Sequence, residues 1–386
     1  MKSLCVLGIT GSIGKNVSEV VKVHSDDFVI TGCSFNTSFE VFKEIYKDNP
    51  SLKSVAVCDE VTADKVKKEY PELNVYSGEN ALRALIKFNN YDMVVNALVG
   101  FCGFIPTLVS LTKGIDVALA NKESLVVGGH LIKKILESGN ARLYPIDSEH
   151  VAIAKLLKDR KVSEIKNVHI TASGGSFRDY QREELVNVTV EKALKHPSWN
   201  MGAKITIDSA TMINKGFEII EAFYLFDLPL DKIKVLMHDE SVIHSAVELI
   251  DHSFVADLGP ADMRIPITYA LYEGNYNDTK DVEYLDFAKL SSLHFREFDE
   301  KRYPAVMLAK KAISIGHSMP CVLNASNEVA NEAFRKGEIP FLSIEVLIER
   351  AMNAHDLILN PTATELVNVD SDTRMFVKEL IEKGEY

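Results

Sequence analysis

The first fourteen residues constrain this chain more than any other stretch. An apolar run over 3–7 passes directly into Gly8-Ile9-Thr10-Gly11-Ser12-Ile13-Gly14, and a helical pattern follows over 15–23. A strand that turns through glycines into a helix opens a parallel sheet, and the bare N–H groups of such a turn suit a dinucleotide pyrophosphate. The spacing, G-x-x-G-x-x-G, is one residue longer than the usual fingerprint. A tight turn without a ligand is the plain alternative, and the position between a strand and a helix at the head of the chain favours the nucleotide.

The pattern that follows extends this unit. Apolar runs over 28–33, 54–58, 92–99, 117–120 and 142–146 alternate with amphipathic stretches, so residues 1–146 read as a Rossmann-like, doubly wound parallel sheet of an α/β protein. Residues 93–112 carry no charge, long enough for a membrane span, but Asn96, Gly100, Gly103 and Pro106 divide them into a buried strand, a turn and a helix start. Residues 147–274 read as a central α+β catalytic domain, with strands expected over 168–172, 205–207, 234–237 and 253–257. A connecting segment, 275–298, leads to a C-terminal α-helical bundle over 299–386, with helices expected over 303–315, 324–336, 341–354 and 371–383, the last capped by Asp370.

Composition excludes several classes of function. Lys and Arg number 43 against 55 Asp and Glu, a net charge of -12 without a dense basic run, so a nucleic-acid partner is not expected. Five scattered cysteines suggest neither a disulfide framework nor a thiolate metal site and fit a reducing cytoplasm. The N-terminus enters the fold without a signal-peptide pattern, and no membrane association is expected.

Candidate site residues cluster at strand ends. Asn121-Lys122-Glu123 lies where ligands meet parallel sheets, which makes Lys122 a candidate substrate contact. In an extended Pro145–His150 segment, Asp147 and Glu149 would point the same way and offer two oxygens to a hard cation. Asn214, Glu218 and Glu221 share one helical stripe flanked on both sides by apolar residues. That stripe is either a solvated face or a site, and the flanks favour a site. Ser173 with Gly174 and Gly175, and Ser209 with Asn214 and Lys215, would make phosphate cradles, or ordinary loops. After the second strand Asn36-Thr37-Ser38 stands where an acidic residue would favour NAD, so NADP is expected, although no basic residue is there to hold its phosphate. Trp199, beside Pro197 and Gly202 and following a polar stretch over 178–195, suggests a lid that excludes water. No role is read for His150.

Taken together and in order, GITGSIG, LANKES, PIDSEH, TASGGSFR, HPSWNMG, DSATMINKGFEIIEA and DMRIP resemble the 1-deoxy-D-xylulose 5-phosphate reductoisomerase family over nearly the whole chain. The resemblance implies an NADPH-dependent enzyme of the methylerythritol phosphate route to isoprenoids, a homodimer that uses Mg²⁺, Mn²⁺ or Co²⁺ and acts on a small sugar phosphate. It implies that Thr10, Gly11, Ser12 and Ile13 hold the nucleotide with Asn121, Glu123 and Gly202, and that Asn36, Thr37 and Ser38 take the place of the family's usual Gly-Lys/Arg-Asn segment. Asp147, Glu149 and Glu218 would bind the metal. Lys122, Ser148, Glu149, Ser173, His196, Ser209, Asn214, Lys215 and Glu218 would meet the substrate, with Trp199 and Met201 on the lid.

Two other classes fit less well. A semialdehyde dehydrogenase also opens with this glycine turn but needs a nucleophilic Cys beside a base, which neither Cys102 nor Cys321 offers. A nucleotide-sensing regulator would carry a basic DNA-binding element, and the charge distribution has none.

Overall fold

The computed structural model describes residues 1–386 except Ser198 and Asn200, so two positions of the HPSWNMG motif lie outside the described residues. Seven strands form the first sheet: β1 (Lys2–Leu7), β2 (Phe28–Phe35), β3 (Ser54–Val57), β4 (Asn74–Ser77), β5 (Met93–Asn96), β6 (Asp116–Leu119) and β7 (Leu143–Pro145). All pair in parallel, in the order β4-β3-β2-β1-β5-β6-β7. Alternation along β1 explains why both faces are covered. Leu4 and Val6 pack into one core with Val17, Val20 and Phe42, while Cys5 and Leu7 pack into another with Leu85 and Ile86. The chain reverses its winding between β1 and β5, and in such sheets ligands bind beyond the strand C-termini at that point.

β4 escaped the sequence reading because it is a four-residue edge strand with no buried position, NVYS, which carries no apolar run. The uncharged stretch resolves into β5, a turn over Gly100–Gly103 and the helix Phe104–Thr112. Among the described residues no helix is long and apolar enough to cross a membrane.

A second sheet is mixed: β8 (Ile165–Ala172), β9 (Ile233–His238), β10 (Ile243–Leu249), β11 (Phe254–Leu258) and β12 (Phe295–Arg296), in the order β11-β10-β8-β9-β12. Only β8 and β9 pair in parallel. Ile153, Val168, Ile170, Ile219, Ile233 and Val306 belong to the core beneath it. The strand expected over 205–207 is instead part of the helix Ala203–Thr211. Three residues of alternation do not distinguish a strand from a buried helical face.

Four helices make up the C-terminal region: Pro304–Ile315, Met319–Arg335, Ser343–Ala354 and Ala363–Glu382. The last begins eight residues before the expected start at 371. Thr362 accepts from the Glu365 N–H while the Glu365 carboxylate accepts from the Thr362 N–H, a reciprocal cap, and Asp370 instead pairs with Arg374. By contacts the chain divides into two units, one of Met1–Ser124, Leu131–Val151 and Asp262–Glu283, the other of Leu125–His130, Ala152–Ala261 and Tyr284–Tyr386. This division cuts across the sequence boundaries. The helix Arg264–Leu271, read as part of the middle domain, joins the first sheet's core through Ile267, Ala270 and Leu271, and the middle and helical regions share the second unit.

Candidate functional site

Within the first unit the candidate residues gather at the C-terminal ends of β1, β2, β6 and β7. Gly8 has φ +79°, and a Cβ on it would stand 2.8 Å from the Ala97 carbonyl oxygen. A Cβ on Gly14 would lie 2.4 Å from both the Gly8 oxygen and Ile9 Cα, so only glycine lets the helix Ser12–Val23 start this close to β1. Gly11 is the N-cap and makes no side-chain cap, and Gly11 and Ser12 are exposed while Thr10 and Ile13 are half-buried. The helix therefore presents uncapped N–H groups and the positive end of its dipole beyond β1. Asn36, Thr37 and Ser38 are exposed after β2, and Asn36 Oδ1 accepts from the Asp59 N–H at 3.1 Å.

The end of β6 is braced from within. Buried Asn121 donates through Nδ2 to the carbonyls of Leu98 and Gly100, both at 2.9 Å, and to Glu123 at 3.2 Å, while its Oδ1 accepts from the Ser124 N–H. That side chain ties β6 to the loop after β5. Lys122, 5% exposed, forms an ion pair with Asp147.

After β7 the chain does not run on in extended form as the sequence reading supposed, because Ser148–Leu157 is a helix. Asp147 precedes it and Glu149 lies in its first turn, and this geometry, not strand alternation, brings a carboxylate oxygen of each within 4.8 Å. Ser148 Oγ donates to Glu149 at 2.6 Å. His150, fully buried, has a ring nitrogen within 4.8 Å of an Asp147 oxygen. Its sequence neighbourhood held no signal of this beyond adjacency.

Within the second unit, Ser173 follows β8 in a loop whose Gly174 and Gly175 have φ +81° and +66°. His196 Nδ1 accepts from the Trp199 N–H at 3.0 Å, which leaves Nε2 to carry the proton toward Ser173 Oγ at 3.2 Å. Burial, and then the nearby Arg178 charge, push the His196 pKa down to about 4, so the ring is neutral. Ser173 Oγ also accepts from the Gly175 N–H at 3.3 Å. The Trp199 ring lies 6.4 Å from that of His244. Met201 is half-buried, and exposed Gly202 caps the helix Ala203–Thr211 that carries Ser209. The stretch over 178–195 has packed and hydrogen-bonded anchors. Leu185 and Ala193 are buried in it, and Arg302 donates to the carbonyls of Phe177 and Tyr180 at its base.

Met212, at φ +64°, turns the chain sharply into the helix Ile213–Phe226. Glu218 and Glu221 are each 1% exposed, which removes the solvated-face alternative. Glu218 accepts from Asn214 and forms an ion pair with Lys215, itself buried. The sequence reading missed Asp208, Asn327 and Asn331, which meet beside Ser209.

Comparison with known proteins agrees along the whole chain. A family model described as 1-deoxy-D-xylulose 5-phosphate reductoisomerase matches residues 4–129, one described as that enzyme's C-terminal domain matches 143–226, and one described as DXP reductoisomerase C-terminal domain matches 258–376. The 1-deoxy-D-xylulose 5-phosphate reductoisomerases of Bacillus subtilis (strain 168) and Geobacillus sp. (strain WCH70) are 45% identical over 382 residues and 44% identical over 383, covering 99% of this chain and 100% of each relative. Among solved structures, the Zymomonas mobilis reductoisomerase in complex with NADPH matches with a TM-score of 0.90 at 35% identity over 99% of both chains. A DOX-P reductoisomerase in complex with NADPH, fosmidomycin and magnesium matches at 0.92 and 33% identity, covering 99% of this chain and 98% of the other.

Proposed function

Because the chain belongs to the 1-deoxy-D-xylulose 5-phosphate reductoisomerase family, we propose a role in that reaction for each cluster just described. The protein is an NADPH-dependent oxidoreductase that converts 1-deoxy-D-xylulose 5-phosphate to 2-C-methyl-D-erythritol 4-phosphate, with magnesium as its metal. The observation that carries this reading is agreement with named reductoisomerases from end to end of both chains.

The residues present suit both groups. The glycine turn would be filled by a Cβ at Gly8 or Gly14, and its exposed N–H groups suit a pyrophosphate. Asp147 and Glu149 supply paired hard oxygens. We assign Thr10, Gly11, Ser12 and Ile13, with Asn36, Thr37, Ser38, Asn121, Glu123 and Gly202, to NADPH, and Asp147, Glu149 and Glu218 to the cation. When bound, the cation would supply Lewis-acid polarisation of the substrate's oxygens and NADPH would supply a hydride.

The chain's own groups do the rest. Asp147 fixes Lys122, which offers a point charge to the oxygens of the substrate, and Ser148 orients Glu149. Ser173, Ser209, Asn214 and Lys215 hold the phosphate, whose binding energy is remote from the reacting carbons. Because Ser173 Oγ accepts from both His196 and the Gly175 N–H, its own O–H is directed to donate to a phosphate oxygen. Trp199, whose ring is tilted toward that of His244, and Met201 exclude water. In functional terms residues 1–146 serve the nucleotide and lend Lys122 to the substrate, 147–274 serve the cation and substrate and lend Gly202 to the nucleotide, 275–298 connect, and 299–386 support. The same reading makes the protein a cytoplasmic homodimer that also accepts Mn²⁺ or Co²⁺, since oxygen donors take all three metals.

The test is to follow nicotinamide absorbance with purified protein, 1-deoxy-D-xylulose 5-phosphate and Mg²⁺, with and without a chelator. The expected result is NADPH consumption that stops on chelation; consumption absent, or indifferent to the chelator, would refute the proposal.

A further inference from the structure

We propose that Asp208 is a positioning residue for the substrate phosphate, acting through Ser209. Its carboxylate locks the helix that carries Ser209 to Asn327 and Asn331 of the C-terminal region. The proposal rests on the phosphate cradle assigned above.

Asp208 is 1% exposed on the helix Ala203–Thr211, one residue before Ser209. A buried carboxylate is costly unless its lone pairs are matched. Here they are: Oδ1 accepts from Asn327 Nδ2 at 2.9 Å and from Asn331 Nδ2 at 2.8 Å, and Oδ2 pairs with Lys204 Nζ at 2.9 Å. Asn331 also donates to the Lys204 carbonyl at 2.9 Å, and its Oδ1 accepts from Arg335 Nε at 2.8 Å. Asn327 and Asn331 stand one turn apart on Met319–Arg335 and are themselves fully buried.

A second contact to the Ser209 segment is made by backbone. A Cβ on Gly175 would come within 2.6 Å of the Ser209 carbonyl oxygen and 2.9 Å of Ala210 Cα, so the loop bearing Ser173 lies directly against the turn bearing Ser209. The helix is thus held both by the Ser173 loop and by the Asp208 network. Apolar residues of similar volume would hold two helices together as firmly as buried charge does. What a directional network adds is one fixed register, and donors to a phosphate must hold their places within about half an ångström. Because Asp208 is fully committed to Asn327, Asn331 and Lys204, its effect on the phosphate is indirect.

The test compares Asp208→Asn, Asn327→Leu, Ser209→Ala and the Asp208→Asn/Ser209→Ala double variant of the full chain. The readouts are the inhibition constant of inorganic phosphate against the sugar phosphate, the NADPH dissociation constant from nucleotide fluorescence, and the melting midpoint. Asp208→Asn and Asn327→Leu should each weaken phosphate about tenfold, the loss of roughly one charge-assisted hydrogen bond, with NADPH binding within about twofold of wild type. The double variant should bind phosphate no more weakly than Ser209→Ala, because residues that act through one another are not additive. If the melting midpoint falls while phosphate inhibition is unchanged, or if the two effects add, the network is structural only and the proposal is overturned. If Ser209→Ala itself leaves phosphate inhibition unchanged, the cradle assignment fails, and the proposal with it. Should Asp208→Asn not fold, Asn327→Leu decides the matter from the other helix.

Discussion

Replacing Glu218 with Gln separates the two jobs of one carboxylate. Glu218 is 1% exposed and is paired with Lys215, which is 4% exposed. The variant keeps size and a carbonyl acceptor but removes the Glu218 charge from beside the buried Lys215 ammonium. Breaking such a pair costs about 3–5 kcal/mol, and the retained acceptor places this case near about 3 kcal/mol. At about 2–4 °C per kcal/mol for a unit of roughly 200 residues, the melting midpoint should fall by about 6–12 °C. Turnover should fall further than stability implies, because the proposed cation site loses one of three anionic donors. Losing even an outer partner of a metal ligand costs about 10–100-fold, so a decrease of more than about 100-fold is expected at saturating Mg²⁺. NADPH affinity should hold, since Glu218 is not among the residues assigned to the nucleotide. Folded Glu218→Gln that oxidises NADPH within about threefold of wild type would remove Glu218 from the metal set; loss of activity with an unchanged melting midpoint would refute the buried-pair energetics.

Further tests follow from other clusters. Gly14→Ala sets a methyl 2.4 Å from backbone atoms that cannot yield, so a loss of about 1–3 kcal/mol and a weakened NADPH titration are expected, with sugar phosphate binding retained. Because the folded His196 pKa is about 4 against an ordinary 6.5, the unfolded chain takes up the proton first. The stability His196 contributes is present above pH 6.5 and lost as pH falls toward 4, and His196→Gln should flatten that part of a pH series of denaturant midpoints. Asn36→Asp places a carboxylate at the exposed end of β2, so kcat/KM with NADPH should fall while kcat/KM with NADH holds or rises; equal effects on both would mean that this position does not meet the 2′-phosphate.

Physical reasons divide what the sequence shows from what it hides. β1, β2 and β5 are buried on both faces and so read as apolar runs, whereas β4 lies at the edge and has none. The reciprocal cap at Thr362 and Glu365 is local and visible as Thr-x-x-Glu, yet Asp370 was the more obvious acid before the last apolar pattern. Asp147 and Glu149 could be paired from their spacing, although a helix start and not a strand brings them together. The Asp208 network has no such signature. Its two asparagine partners lie 119 and 123 residues away, and nothing in the local composition around Asn327 or Asn331 announces a carboxylate across the core.

Charge links these clusters to the reaction. Residues 1–145 hold 16 groups of each sign, while 146–298 hold 17 basic and 25 acidic. Outside the proposed site, acids of the middle region are matched one to one: Asp208 with Lys204, and Asp257 with Lys155. The proposed site differs. Asp147, Glu149 and Glu218 bring three negative charges and Lys122 and Lys215 two positive ones, so these five groups carry a net negative charge toward a substrate whose phosphate is itself an anion. A divalent cation reverses that sign. In the proposed arrangement the metal would hold the substrate as well as polarise it, so binding of the sugar phosphate is expected to weaken when Mg²⁺ is chelated.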